Sequence, residues 1–225
     1  MAVGAHTGDA QLTCGMLLAK QAMLGDKVIL VDLTAGERGA PPNVEVSEFR
    51  KRNVDSAQRF AKAIGGESIV FDVPDGELYA GQEIELQLAQ IMREHKVDGV
   101  LYHWQNSLHK DHVQAHLIAQ RACFFAALPT YPHELPPAPI RNMMCAENWE
   151  DEEDFKPYFY FDVSEAFPKW KEAIKMLWLA ENSLSFKYLR YYEALAITRG
   201  ARIKADYATC FGIADYAKRQ VIQSL

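Results

Sequence analysis

The sequence predicts an α/β fold: a Rossmann-like, mostly parallel sheet with helices on both faces, followed by a helical C-terminal extension. Short β-branched runs alternate with amphipathic helical stretches through residues 1–128. This alternation implies right-handed crossovers between parallel strands. Prolines then crowd the stretch 129–139, and the last fifty or so residues are rich in aromatic side chains and helical in pattern.

Local patterns predict the individual elements. The run 2–5 is apolar, and 27–33 carries the strongest strand signal because apolar and β-branched residues follow one another there. Apolar residues at steps of three and four predict a helix at 47–64, which Gly65 ends as a left-handed cap. The other predicted elements are helices at about 17–24, 82–95 and 112–127 and strands at 68–73, 99–102, 140–145 and 158–163.

We expect residues 1–225 to form one domain. In this prediction 1–128 is the Rossmann-like core, and 129–225 supplies added strands and C-terminal helices. A chain of 225 residues is long enough to bury a sizeable core without disulfides or a structural metal. It contains no internal repeat and no stretch with the composition of a domain linker.

The composition limits the partners and the compartment. A formal net charge of −6 and the lack of a basic block argue against nucleic acid or an anionic membrane as a partner. The 4 cysteines are far apart and no signal peptide is visible, which predicts free thiols in a cytoplasmic protein. The aromatic C-terminal stretch is consistent with a homo-oligomer interface and equally with packing on the chain's own sheet.

Polar residues at the predicted strand ends identify a candidate metal site, because open parallel sheets bind ligands beyond the carboxyl ends of their strands. His6 and Asp9 lie at the first such end and can converge on one ion. A third ligand from a distant loop would complete the set, and His112 and His116, at i and i+4, offer two choices. The alternative is that His6 and Asp9 only begin a helix, as capping residues do.

Several segments resemble motifs of the PIG-L/LmbE superfamily of zinc-dependent N-deacetylases, which act on N-acetylglucosamine carried by other groups. AHTGDAQ resembles the hallmark AHPDDE, HKDH resembles HPDH, and LTAGERG between them resembles TxGExG. The segment YYEALAITRGARIKADYATCF is similar to the ending of the bacillithiol-biosynthesis deacetylases. The resemblance implies a metal-dependent hydrolase that removes an acetyl group from a small N-acetylated amino sugar.

The resemblance also implies roles for individual residues. Carried over by position, His6, Asp9 and His112 would bind Zn²⁺ or another divalent ion such as Fe²⁺. His109 would stabilise the oxyanion or help to protonate the leaving group, and Asp111 would orient His109.

Gly8 stands where the family motif has the aspartate that takes a proton from metal-bound water. Such a base contributes about 10²- to 10⁴-fold in rate. Three interpretations stay open. Another carboxylate, Glu37 ahead of Asp111, replaces the base; the metal centre manages a less demanding substrate without one; or the protein is a non-catalytic relative that binds metal and sugar. Arg50 matches a family arginine that contacts substrate.

Overall fold

The computed structural model describes residues 1–130 and 135–213. Residues 131–134 and 214–225, which belong to the predicted C-terminal extension, lie outside the described residues. The strands are β1 (Ala2–His6), β2 (Ile29–Thr34), β3 (Glu67–Val70), β4 (Gly99–Tyr102), β5 (Asn142–Ala146), β6 (Phe159–Asp162) and β7 (Ala208–Gly212). The helices are α1 (Asp9–Thr13), α2 (Gly15–Met23), α3 (Val46–Ile64), α4 (Gln82–Glu94), α5 (Lys110–Ala127), α6 (Phe167–Ile174), α7 (Trp178–Asn182) and α8 (Tyr188–Ala201), with a 3₁₀ turn at Glu37–Gly39.

These strands form one seven-stranded mixed sheet within the described part of the chain, in the order β3-β2-β1-β4-β5-β7-β6. β1 pairs in parallel with β2 and β4, β2 with β3, and β4 with β5. β7 pairs antiparallel with both β5 and β6. The predicted α/β class with a mostly parallel sheet is therefore confirmed, and the loops after the five parallel strands meet at one edge.

Helices cover both faces of the sheet, as predicted. Side chains alternate along β1 and β2, so Ala2 and Leu30 pack in one apolar cluster and Val3 and Val31 in the other. The first cluster lies under α1, α2, α3, α6 and α8, and the second under α4 and α5. The indole N–H of buried Trp170 donates to the carbonyl of a residue in α1 at 2.9 Å, which ties the C-terminal part to the core.

The helical pattern expected near the C-terminus is wrong at one place, because Ala208–Gly212 is the strand β7. The sequence Ala-Thr-Cys-Phe-Gly has no clear alternation of apolar and polar residues. Its extended conformation is set by hydrogen bonding to β5 on one side and β6 on the other. Local sequence cannot reveal such a tertiary pairing.

The helix predicted at 47–64 is confirmed as α3. Its buried face carries Phe49 and Phe60, and Gly65 ends the helix with a φ of 97°, the left-handed conformation expected of a glycine cap. Among the helices of the described residues, none combines the length and the apolar character that crossing a bilayer requires.

A buried arginine holds the proline-rich connection after α5. The guanidinium of Arg93, in α4, donates to the carbonyl oxygens of Leu135 (2.7 Å), Phe125 (3.1 Å) and Leu128 (2.6 Å). The Phe125 carbonyl also accepts the N–H of Leu128 at 3.3 Å, so Arg93 is a second donor to this carbonyl at the end of α5. Arg93 therefore supplies hydrogen-bond donors to backbone carbonyls of this irregular segment, as the N–H groups of a neighbouring strand do in a sheet.

We expect Arg93→Met to lower the free energy of unfolding by about 2–4 kcal/mol, because it removes the guanidinium donor from three carbonyls. Urea unfolding followed by tryptophan fluorescence measures the change. The matched control is Arg59→Met, since Arg59 is exposed and pairs only with Asp55 one turn away; it should change stability by less than about 0.5 kcal/mol. Equal effects of the two substitutions would contradict the role given to Arg93.

Candidate metal centre

The turn after β1 brings His6 and Asp9 side by side. The backbone N–H of His6 donates to Asp9 Oδ2 at 2.8 Å, and His6 Nδ1 lies 3.2 Å from the same oxygen. Gly8 makes this turn with a φ of 124°, a conformation that favours glycine. The two candidate ligands therefore meet because the chain reverses between them.

His112 reaches Asp9 from the first turn of α5. Its Nε2 lies 3.4 Å from Asp9 Oδ2, and its Nδ1 lies 2.9 Å from Asp151 Oδ1. Asp151 is fully buried and follows β5. Because this carboxylate accepts the Nδ1 proton, the Nε2 lone pair of His112 is directed toward Asp9.

Two of the distances are close to those between the ligand atoms of a divalent ion, and ligand atoms of Asp9, His103 and His112 lie within 4.8 Å of one another. Tetrahedral zinc with ligands at about 2.0–2.1 Å places its ligand atoms about 3.3 Å apart, and Asp9 Oδ2 lies 3.2 and 3.4 Å from nitrogens of His6 and His112. Burial alone would raise the pKa of Asp9, but the surrounding His112, His103 and His6 lower that pKa well below its usual value. The structure thus brings the three ligands predicted from the sequence into one group around an ionised carboxylate.

His103, at the end of β4, also faces Asp9 but is already engaged. Its Nε2 is 3.3 Å from Asp9 Oδ2 and accepts the backbone N–H of Ala5 at 3.1 Å, while its Nδ1 lies 2.8 Å from Asp151 Oδ2. His103 therefore supports the centre by packing against His112, with ring centroids 4.1 Å apart. His116 contacts His103 and not Asp9: its Nδ1 lies 2.8 Å from the His103 carbonyl oxygen.

Two carboxylates hold the far side of the His6 ring. His6 Nε2 lies 3.2 Å from Asp75 Oδ1 and 3.3 Å from Asp111 Oδ2. The backbone N–H of Gly76 donates to the same Asp111 oxygen at 2.8 Å. Asp111 was expected to orient His109, and the structure places its carboxylate against His6 instead. The contact with His109 comes from the backbone, where the Asp111 N–H donates to His109 Nδ1 at 3.1 Å.

His109 is the half-exposed imidazole of the centre. Its ring centroid lies 4.7 Å from that of His6 and 4.9 Å from that of His112. Burial, together with the proximity of the His6 and His112 rings, lowers the pKa of His109. Since His109 Nδ1 accepts the Asp111 N–H, the neutral ring carries its proton on Nε2 and can donate a hydrogen bond from there.

Glu37 and Arg50 form a buried support behind this cluster. Glu37 Oε2 accepts from Arg50 at 3.3 Å, and Glu37 Oε1 accepts the backbone N–H of Asp75 at 3.0 Å. Arg50 also donates to the Phe71 carbonyl and to Asp72 Oδ1, both at 2.9 Å. The structure thus places Glu37, the expected substitute base, with each carboxylate oxygen already hydrogen bonded and with Asp75 between it and His6.

Gly8, where the family hallmark has an aspartate, is covered by an apolar side chain. A Cβ atom at this position would lie 2.3 Å from Leu179 Cδ2 of α7, and the φ of 124° disfavours any other residue. The glycine at position 8 is therefore accompanied by a second feature: Leu179 of α7 occupies the space that a side chain at position 8 would need.

Sequence reasoning missed a carboxylate that faces the centre. Glu150 Oε2 lies 3.5 Å from His112 Nε2, the atom that faces Asp9, and burial raises the pKa of Glu150. Glu150 and Asp151 follow β5, a parallel strand next to β4. The rule that ligands bind beyond strand ends would have found both residues if it had been applied to the predicted strand at 140–145.

Comparisons with known proteins identify relatives and structures of similar fold. The chain is 25% identical to the 4-oxalmesaconate hydratase of Pseudomonas putida KT2440. The match covers 92% of this chain and 81% of the hydratase. The crystal structure of the 4-carboxy-2-hydroxymuconate hydratase GalB, from the same strain, is similar with a TM-score of 0.86, at 21% identity over 98% of each chain. The N,N'-diacetylchitobiose deacetylase of Pyrococcus horikoshii is similar with a TM-score of 0.80, at 20% identity over 93% of this chain and 81% of the deacetylase. At these identities the structural likenesses establish the fold.

The family follows from the N-terminal half. A family model described as GlcNAc-PI de-N-acetylase, PIG-L, matches residues 1–123. This match contains the turn after β1, the loop after β2 and the start of α5, which carry the residues grouped around Asp9. The chain belongs to the PIG-L family.

Proposed function

We propose that this protein is a metal-dependent hydrolase that removes the acetyl group from a small N-acetylated amino sugar. The observation that carries the proposal is the position of Asp9 Oδ2, which lies 3.2 Å from His6 Nδ1 and 3.4 Å from His112 Nε2. Two imidazoles and one carboxylate leave a coordination position open, as catalytic sites require. Family membership and a deacetylase among the structural neighbours support the same reaction.

His6, Asp9 and His112 would hold the ion, with Zn²⁺ or Fe²⁺ as the candidates because imidazole and carboxylate ligands suit both. A bound divalent ion polarises a carbonyl oxygen and lowers the pKa of a bound water to about 7. Asp151 keeps His112 in the tautomer that binds metal through Nε2, and Asp75 and Asp111 do the same for His6 through its other nitrogen.

Glu150 and His109 are the groups placed to move protons. In the hydrolysis, water adds its oxygen to the acetyl carbon, the C–N bond breaks, acetate leaves and the amine nitrogen gains a proton. We assign proton removal from the water, and delivery of that proton to the amine nitrogen, to Glu150, because its carboxylate faces the centre from the loop after β5. His109 donates from Nε2 to the developing oxyanion. Glu37 and Arg50 then act by fixing Asp75, beside His6.

A second candidate function is the addition of water to an unsaturated carboxylate, as in the two hydratases to which the chain is similar. The specific observation in its favour is that position 8 is a glycine covered by Leu179. The acidic side chain that the family hallmark has next to Asp9 is therefore missing. In this reaction water gives OH to one carbon of a double bond and H to the other. No amine leaves, so the demand for leaving-group protonation disappears.

The metal ligands are tested by elemental analysis of protein purified without chelator. We expect about one zinc or iron per chain, and a loss of nearly all of it in His112→Ala. Asp151→Asn should weaken affinity by about 10- to 100-fold, because His112 loses its orienting carboxylate. The control is His95→Ala, whose nearest acidic partner is Glu67 and not a residue of the centre. Full metal retention in His112→Ala would overturn the ligand assignment.

The base is tested by comparing Glu150→Gln with Glu37→Gln under saturating substrate. We expect kcat to fall by about 10²- to 10⁴-fold in Glu150→Gln, because an amide cannot accept the proton. Glu37→Gln should lose less than about tenfold in kcat, since its oxygen can still accept from Arg50 or Asp75. Metal content measured in parallel must stay unchanged in both variants. A larger kcat loss in Glu37→Gln would return the role to Glu37.

The substrate class is tested with two assays on the same metal-loaded protein. Acetate release is measured over a panel of N-acetylated amino sugars, and hydration of 4-carboxy-2-hydroxymuconate is followed by the loss of its conjugated absorbance. We expect acetate release that Asp9→Asn abolishes. Hydration without acetate release would replace the deacetylase by the hydratase. Failure of both reactions with full metal content would leave a non-catalytic binding protein.

A further inference from the structure

A buried polar network lies beneath the turn that carries His6 and Asp9. Asp32, in β2, is fully buried, and its Oδ2 accepts from Gln11 Nε2 at 2.8 Å and from Thr7 Oγ1 at 3.2 Å. Gln11 is also fully buried, and its Oε1 accepts the backbone N–H of Gly8 at 2.8 Å. The network thus runs from the sheet to the residue just before Asp9.

The hydrogen bonds of this network fix the orientation of the Gln11 amide. Gln11 donates from its amide nitrogen to Asp32 and accepts at its amide oxygen from Gly8, so both ends of one amide are used. A glutamate at position 11 could accept from Gly8 but has no N–H for Asp32. Two carboxyl groups would then face each other in a buried site, where burial already raises the pKa of Asp32 to about 8 and a second negative charge is costly.

The turn between β1 and α1 needs a hydrogen bond that holds the backbone of Gly8 in place. Gly8 has a φ of 124°, outside the conformations that most residues hold unaided, and its amide is anchored by Gln11. Its carbonyl accepts the N–H of Leu12 at 2.9 Å, which begins α1. Asp9 follows directly, and its Oδ2 must lie within about 0.5 Å of its place to meet both imidazoles.

We propose that Gln11 is a positioning residue for the metal centre: it anchors the Gly8 amide and so fixes the Asp9 carboxylate between His6 and His112, and Asp32 holds the Gln11 amide in the orientation that this requires. The inference rests on the metal centre of the proposed function and not on its substrate. It assigns a purpose to Asp32, which the proposed reaction does not use.

The pairing is tested by a double-mutant cycle. In Gln11→Glu the Asp32 carboxyl loses the Gln11 N–H donor and keeps the hydroxyl donor of Thr7. Zinc affinity, measured by competition with a chromophoric chelator, should fall by about 10- to 100-fold. Asp32→Asn keeps an acceptor for Gln11 and should change zinc affinity by less than about threefold. In the double variant Gln11→Glu with Asp32→Asn, the new amide donates to the new carboxylate, and zinc affinity should return to within about threefold of wild type.

Thr7→Val is the matched control, since it removes a hydrogen bond to Asp32 but leaves the Gln11–Gly8 contact in place. It should lower the melting temperature and leave zinc affinity unchanged. A loss of zinc affinity in Thr7→Val as large as in Gln11→Glu would mean that the network only stabilises the fold. Unchanged affinity in Gln11→Glu, or no rescue in the double variant, would also overturn the proposal.

Amide hydrogen exchange of residues 7–12 in the metal-free protein separates this inference from the proposed function. Gln11→Glu should speed exchange in this segment by at least about tenfold, and adding Asp32→Asn should restore protection. If wild type bound no zinc while exchange followed this pattern, the proposed function would fall and the positioning role would stand. If wild type bound zinc and exchange were the same in all variants, the reverse would hold.

Discussion

The Asp9 carboxylate is the point on which the rest of the centre depends. One of its oxygens lies 3.2–3.4 Å from nitrogens of His6, His103 and His112. Each of these imidazoles uses its other nitrogen on a carboxylate, either Asp151 or the pair Asp75 and Asp111. The result is an alternation of carboxylates and imidazoles in which each of these three rings contacts a carboxylate through both of its nitrogens.

The parallel sheet explains how so many charged groups can share a small space. They come from the chain segments at the carboxyl ends of β1, β3, β4 and β5, and parallel strands bring these segments to one edge of the sheet. Burial alone would raise the pKa of Asp151, but the hydrogen bonds from His103 and His112 lower this pKa to about 2. The orientation of the imidazoles is therefore fixed by the protein before any ion binds, which reduces the reorganisation that binding requires.

The region around Gly8 explains how a family member can depart from the family hallmark without losing the metal centre. Leu179 fills the space beside Gly8, while Gln11 and Asp32 anchor its backbone from below. Under the proposed function, metal binding and proton removal would be separable, because the candidate ligands lie around the turn after β1 and the proposed base, Glu150, lies in a loop after β5.

The sequence by itself determined the α/β class, most elements of the core and the grouping of His6, Asp9 and His112, because hydrophobic periodicity and short-range spacing are local properties. Tertiary structure decided the rest. The strand β7 forms because it pairs with β5 and β6. The Asp111 carboxylate contacts His6 because α5 begins beside that ring, and the Glu37 carboxylate is paired with Arg50. Glu150 became part of the centre only because β5 lies next to β4, a pairing between residues more than forty positions apart. Such long-range contacts depend on how the whole chain packs, and no local pattern encodes them.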